Sequence, residues 1–165
     1  MSSHVFIVGA PRAGAGLVHA CLTQDSSWVK SPISEKGISG SSFVSSEQDP
    51  TPEQVVQHEQ GIREQLRSAF ADNNASGSVL VDYHHSFGMN VAALAAEFPD
   101  AKFIQVLRGP APAVSSGVRA WTSGKFVTYP DLPGWWGEKW SFGLVPNWKD
   151  LIGKPLPEVV VAQYL

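Results

Sequence analysis

"FIVGAPRAGAGLVHACL", residues 6–22, carries the reading that decides the fold. Phe6, Ile7 and Val8, with Val5 before them, form an unbroken apolar run, as in a strand buried on both faces, and the strand is expected over His4 to Val8. Gly9, Pro11, Arg12, Gly14 and Gly16 interrupt it, and an apolar helical pattern then runs from about Gly14 to Thr23. A glycine turn between strand and helix lets backbone N–H groups converge on an anion, and the helix N-terminus adds about half a positive charge. The spacing "GAPRAGAG" is neither G-x-x-x-x-G-K-[ST] nor G-x-G-x-x-G, so the Lys-Ser/Thr pair of a nucleoside-triphosphate loop is missing. The same glycines also fit a tight turn that merely lets strand and helix pack closely.

Two further apolar runs follow the same plan. "SVLVDY" (78–83) and "KFIQVL" (102–107) read as buried strands. Between and after them lie helical patterns, one opened by Asn90 and stopped at Pro99-Asp100, one after Arg108-Gly109-Pro110 with Val114, Val118 and Trp121 in period. A longer helix is expected from Thr51 to Ala71, with Pro52 at its first position and Gln54 placed for a capping box. Strands alternating with helices imply right-handed crossovers and a parallel sheet covered on both faces, an α/β class. Residues 25–50, including "KSPISEKGISGSSFVSSEQDP", read as a long irregular loop.

In such sheets ligands sit beyond the carboxyl ends of the strands, here Pro11 to Gly16, Tyr83 to Ser86 and Arg108 to Ser116. Arg12 adds a fixed cation to the first. Arg108, with Ser116 eight residues on, can hold a second phosphate through a bidentate guanidinium and a hydroxyl. The other reading pairs Arg108 with an acid at the sheet edge. His84 and His85 close the second strand, where an imidazole with a pKa of about 6.5 suits a general base, or simply packs. Adjacent histidines point apart at a strand end and no Cys or carboxylate cluster joins them, so no metal is expected.

Composition bounds the rest. The 165 residues suit a single domain spanning 1–165, and 43% apolar content is ample for a core. A net charge of -3 and a pI near 5.9 argue against nucleic acid or an anionic membrane as partner. Cys21 is the single cysteine, and neither a basic-then-apolar leader nor a run of roughly 18 apolar residues is present, which fits a cytoplasmic setting. The tail, with Trp135, Trp136, Trp140 and Trp148, shows little strand or helix regularity before a final helical pattern, "LPEVVVAQYL". That pattern stops at Leu165 with no Gly, Asn or basic cap, as expected of a domain that continues beyond it.

Taken together these segments resemble the sulfotransferase family that uses 3′-phosphoadenosine 5′-phosphosulfate, PAPS. "FIVGAPRAGAGLVHACL" is similar to its 5′-phosphosulfate loop, a strand followed by G-x-P-[KR]-[SA]-G-[ST]-[ST]-[LW]. "FPDAKFIQVLRGPAPAVSS" (98–116) is similar to its 3′-phosphate segment, and the Trp-rich stretch to that of bacterial members. The resemblance implies a three-layer α/β/α fold of the P-loop nucleotide hydrolase type, lacking the family's C-terminal part. It implies that Arg12 and the amides of Ala13, Gly14, Ala15 and Gly16 contact the 5′-phosphosulfate, and that Arg108 and Ser116 contact the 3′-phosphate. "DYHH" (82–85) stands where the family has Lys-Thr-His, which makes His85 the implied base and His84 its neighbour. The implied reaction is in-line sulfuryl transfer to the hydroxyl of a small acceptor, releasing 3′-phosphoadenosine 5′-phosphate, PAP. Trp135, Trp136 and Trp140 are candidates for the acceptor pocket, for core packing, or for a homo-oligomer interface.

The chain departs from the family pattern at Ala13, Ala15 and Gly16, which replace residues that are often hydroxyl-bearing, at Tyr83 for Lys, and at Gly109 for Asp or Asn. Each lost hydrogen bond to a charged group costs about 1.5 to 3 kcal/mol. Those departures leave a second reading open: a catalytically silent relative that binds a nucleotide or a protein.

Overall fold

The computed structural model describes residues 3–30, 57, 60, 61, 63–65, 67, 68, 79–84, 87–145 and 147–164. A four-stranded, all-parallel sheet runs in the order β2 (Trp28–Lys30), β3 (Val79–Tyr83), β1 (Ser3–Val8), β4 (Lys102–Gln105). β1 is central, paired Val5↔Val81 on one side and Phe6↔Phe103 on the other. Its alternation sends Phe6 and Val8 to one face, against Phe87 and against Ala93 and Leu94 of α2 (Val91–Glu97). Ile7 goes to the opposite face, against Val81 and against Ala15 of α1 (Ala15–Leu22). Both faces are therefore covered, and that is why β1 reads as a continuous apolar run.

β2 lies inside the stretch read from sequence as an irregular loop. Three residues are too few to carry an alternating pattern, and β2 is a strand because its backbone pairs with β3, Val29↔Leu80 at its centre. Residues 31–50 of that loop lie outside the described residues. Of the helix expected from Thr51 to Ala71, the described residues 57, 60, 61, 63–65, 67 and 68 are helical, while its capping residues lie outside them. Arg67 of this helix makes a bidentate ion pair to Glu97 of α2, at 2.7 and 2.9 Å. Asn90 precedes α2, but its side chain makes no capping hydrogen bond.

β4 is shorter than the apolar run 102–107. The ladder ends at Gln105, although the Val106 N–H still donates to the Val8 carbonyl at 2.8 Å, and Leu107 is 78% exposed. Pro110 starts α3 (Pro110–Thr122), whose buried residues Ala113, Ser116, Gly117, Ala120 and Trp121 follow the helical period. α3 packs on α4 (Leu156–Tyr164), where a Cβ at Gly117 would come within 2.5 Å of Val160 Cγ1, so only glycine permits this approach.

The Trp-rich segment has regular structure the sequence does not announce: an antiparallel pair, β5 (Val127–Tyr129) and β6 (Trp140–Ser141), and a 3-10 turn over Trp148–Leu151. Trp140 sits at its centre, fully buried, with ring centroids 4.9 Å from Trp135, 5.4 Å from Trp121 and 6.0 Å from Trp148, all steeply inclined. Edge-to-face packing of this kind aligns each ring's positive edge with its neighbour's negative face. At the far end of β1, His4 packs on Phe98 at 4.8 Å, and burial pulls its imidazole pKa below the ordinary value. Among the described residues no helix is long and apolar enough to cross a membrane.

Candidate functional site

The loop from Gly9 to Gly16 leaves the carboxyl end of β1 between β3 and β4. Gly9 is demanded by sterics, since a Cβ there would lie 2.7 Å from the Val106 carbonyl oxygen. The turn closes with the Ala13 N–H donating to the Ala10 carbonyl at 3.1 Å. Two residues take left-handed backbone, Arg12 at φ 66° and Gly14 at φ 112°. For arginine that conformation costs roughly 1 to 2 kcal/mol, which the contacts of its side chain and carbonyl offset. Leu17 and Val18 donate to the Gly14 carbonyl, while the N–H groups of Gly14, Ala15 and Gly16 have no backbone acceptor among the described residues. These are the orphan donors of a helix start, and they open onto a cleft of about 500 Å³.

The structure brings the two sequence-derived cation sites into one cluster. Arg12 Nε donates to Ser116 Oγ at 3.1 Å, across 104 residues, and its guanidinium lies 5.4 Å from the centre of the Phe126 ring. Arg108 Nη1 donates to the Arg12 carbonyl oxygen at 2.9 Å. Arg12, Arg108 and Ser116 are therefore linked to one another in a single cluster. Ser116 is 7% exposed on the inner face of α3, which aims its hydroxyl at the loop. Among the described residues Arg108 has no acidic partner; its guanidinium holds the loop backbone.

Reasoning from sequence missed the support behind Arg108. Tyr164 Oη donates to the Arg108 carbonyl oxygen. Its neighbour Gln163 accepts from Trp121 Nε1 at 2.9 Å and donates to the Ser141 and Gly143 carbonyls at 2.8 and 2.9 Å. One turn of α4 thus ties α3, β6 and the β4–α3 turn together. No sequence signal marks that linkage, because its members lie 20 to 56 residues apart.

His84 lies at the end of β3 with its ring 5.8 Å from that of Phe87, and neither cleft beside the loop counts it among its lining residues. His85 lies outside the described residues. Of the roles open to the three tryptophans, packing accounts for two. Trp140 is core, Trp135 stacks on it with its Nε1 donating to the Glu138 carbonyl at 2.7 Å, and Trp136 is 73% exposed against Gly153. None of the three lines a cleft beside the loop; Trp140 is turned into the core, and Trp135 lines a separate cleft with Asp131 and Lys139. Tyr83 does line the cleft, and its ring occupies the space beside Gly16, where a Cβ would lie 3.2 Å from Cε1.

A comparison with curated proteins gives no match. The family model described as Sulfotransferase family matches residues 4–144, a span that holds β1, its glycine loop, the Arg108 turn and Ser116. The chain belongs to the sulfotransferase family, and the parallel sheet with a glycine loop after its central strand is the corresponding α/β fold.

Proposed function

We propose that this chain binds PAPS with the phosphosulfate over the Gly9–Gly16 loop and transfers the sulfuryl group to the hydroxyl of a small molecule. The observation that carries this reading is the junction of Arg12, Arg108 and Ser116 beside the unpaired amides of Gly14, Ala15 and Gly16. Arg12 and those amides face the charge that develops on the departing 5′-phosphate, and Arg108 with Ser116 serves the 3′-phosphate. In the transfer the acceptor oxygen forms a bond to sulfur as the bond from sulfur to the 5′-phosphate oxygen breaks. PAP leaves with that electron pair, and His85 takes the acceptor's proton, with His84 as the neighbouring candidate.

One observation favours the second reading, a relative that binds the nucleotide without turnover. Tyr83 crowds the space beside Gly16, where a Cβ would lie 3.2 Å from its ring, so a hydroxyl-bearing side chain there requires the ring to shift. Single-turnover transfer from radiolabelled PAPS to 2-naphthol separates the two. The enzyme reading expects labelled naphthyl sulfate from the wild type and a loss of 100-fold or more in His85→Ala, in line with typical general-base contributions. PAP binding with no transferred label supports the silent relative, and equal rates in wild type, His84→Ala and His85→Ala remove both histidines from the mechanism.

A further inference from the structure

Arg12 is held at three places, and one of the holds uses no hydrogen bond. Its Nε donates to Ser116 Oγ and its carbonyl accepts from Arg108, while its guanidinium carbon lies over the Phe126 ring, 5.4 Å from the centre. A guanidinium carries its N–H groups in its plane and none on its faces. A ring that takes a face therefore leaves the edge donors for a ligand, and among the described residues neither Arg12 Nη donates to the protein.

Phe126 reaches this position with support from both sides along the chain. It leaves the end of α3 through a turn at Gly124, φ 66°, and immediately precedes β5. The Phe142 N–H donates to the Phe126 carbonyl at 3.1 Å, and the two rings lie 5.3 Å apart, inclined by 30°. Phe142 does this in left-handed backbone, φ 63°, which a bulky residue adopts only where its surroundings enforce it. Among the described residues three non-glycine positions have positive φ, and two of them, Arg12 and Phe142, touch Phe126. Backbone strain of this kind clusters at ligand clamps. Phe126 and Phe142 both line the cleft that holds Arg12 and Gly14 to Gly16.

We infer that Phe126 is a positioning residue for the anion site: its ring fixes the Arg12 guanidinium at the cleft by cation–π stacking, and Phe142 fixes the ring. The inference rests on the anion reading above, and Phe126 acts on the ligand through Arg12 alone. It also accounts for which cation stands at position 12. An ammonium is a compact point charge with no distinct face and edge, so a lysine could not lie on the ring and present a fixed fork of donors at once.

Double-mutant cycles with Phe126→Leu, Phe126→Tyr and Arg12→Ala test this, read by calorimetric titration with PAP and, separately, with inorganic pyrophosphate. Phe126 is 40% exposed, and leucine keeps apolar contact with Phe142, so the variant folds; what it lacks is a π face, which tyrosine retains. Phe126→Leu is expected to weaken both ligands about 3- to 10-fold and Phe126→Tyr less than about twofold. In the Arg12→Ala background Phe126→Leu is expected to change neither affinity. A second readout needs no ligand: the NMR signal of the Arg12 Nε–H group, identified by its loss in Arg12→Ala, should shift in Phe126→Leu, where the ring current is gone, and hold its place in Phe126→Tyr. The inference is overturned if Phe126→Leu costs as much without Arg12 as with it, which would mean that the ring touches the ligand itself. It is equally overturned if tyrosine loses as much as leucine, if the Arg12 signal is unmoved in Phe126→Leu, or if neither ligand binds. Failure of PAP alone, with pyrophosphate obeying the cycle, counts against the donor reading and leaves Phe126 in its role.

Discussion

The glycine loop and the Trp-rich lobe solve the problem of holding a shape in opposite ways. The loop is held by backbone: Gly9 against the Val106 carbonyl, Arg12 in left-handed backbone, Arg108 on the Arg12 carbonyl. The lobe is held by side chains, four interlocked tryptophans at 4.9 to 6.4 Å with Gln163 satisfying three of its polar groups. The difference separates stability from function. The lobe gains a rigid position for α3 and α4, and through Tyr164 and Ser116 it delivers that rigidity to the loop, whose amides are left open to a ligand.

Breaking the lobe should give the largest effect. Trp140→Ala removes a fully buried ring touching three others and is expected to lower the unfolding free energy by about 3 to 5 kcal/mol in urea titration. A loss under 1 kcal/mol would mean that the lobe is not the scaffold described here. On the loop side, Gly16→Ser places a Cβ 3.2 Å from the Tyr83 ring and is expected to cost about 1 to 2 kcal/mol. Combined with Tyr83→Ala, that cost should shrink, which a double-mutant cycle reads directly; strict additivity would mean that the two positions are independent.

The link between the regions is finer. Tyr164→Phe keeps the ring but deletes the hydrogen bond to the Arg108 carbonyl, so stability should fall by roughly 1 kcal/mol and PAP affinity about 2- to 10-fold. An unchanged PAP affinity would place Tyr164 in the lobe alone. The smallest effect lies at the far end of β1. Burial lowers the folded-state pKa of His4, so the fold favours its neutral form; that contribution is complete above about pH 6.5 and is lost as pH falls toward the folded value. The melting temperature of His4→Phe should therefore decline less than that of the wild type between pH 7 and pH 5.

What the sequence made legible follows from the range of the forces involved. β1, the loop and α1 are contiguous, and a buried parallel strand followed by glycines and a helix announces itself through apolar run and turn chemistry. The existence of α3 is legible from Pro110 and the period of Val114, Val118 and Trp121, but its buried face also takes small residues, Ala113, Ser116, Gly117 and Ala120, that carry little apolar signal. β2 was not legible, because three residues in a Ser- and Lys-containing stretch become a strand only through pairing with β3. The choice among pocket, core and interface for the tryptophans was not legible, because irregular spacing hides an aromatic cluster that exists only in three dimensions. The bond from Arg12 to Ser116 spans 104 residues, and a pattern read along the chain cannot show that two anion-site candidates hold each other.

Gly16 and Tyr83 add a lesson about reading departures from a family pattern. Taken singly, each looks like the loss of a functional group. In the structure they fit together, the ring taking the space that the missing Cβ leaves. On the proposed reading, the loop holds its anion through amides and arginines in place of hydroxyls.

The central claim is that those amides and arginines still form a working anion site. Calorimetric titration with PAP, on the wild type and on Arg108→Ala, tests it most directly. The account predicts saturable binding of one PAP per chain, weakened about 10- to 100-fold by the substitution, as expected for hydrogen bonds to charged groups. No saturable binding by the wild type, or equal affinity in the two proteins, would contradict it.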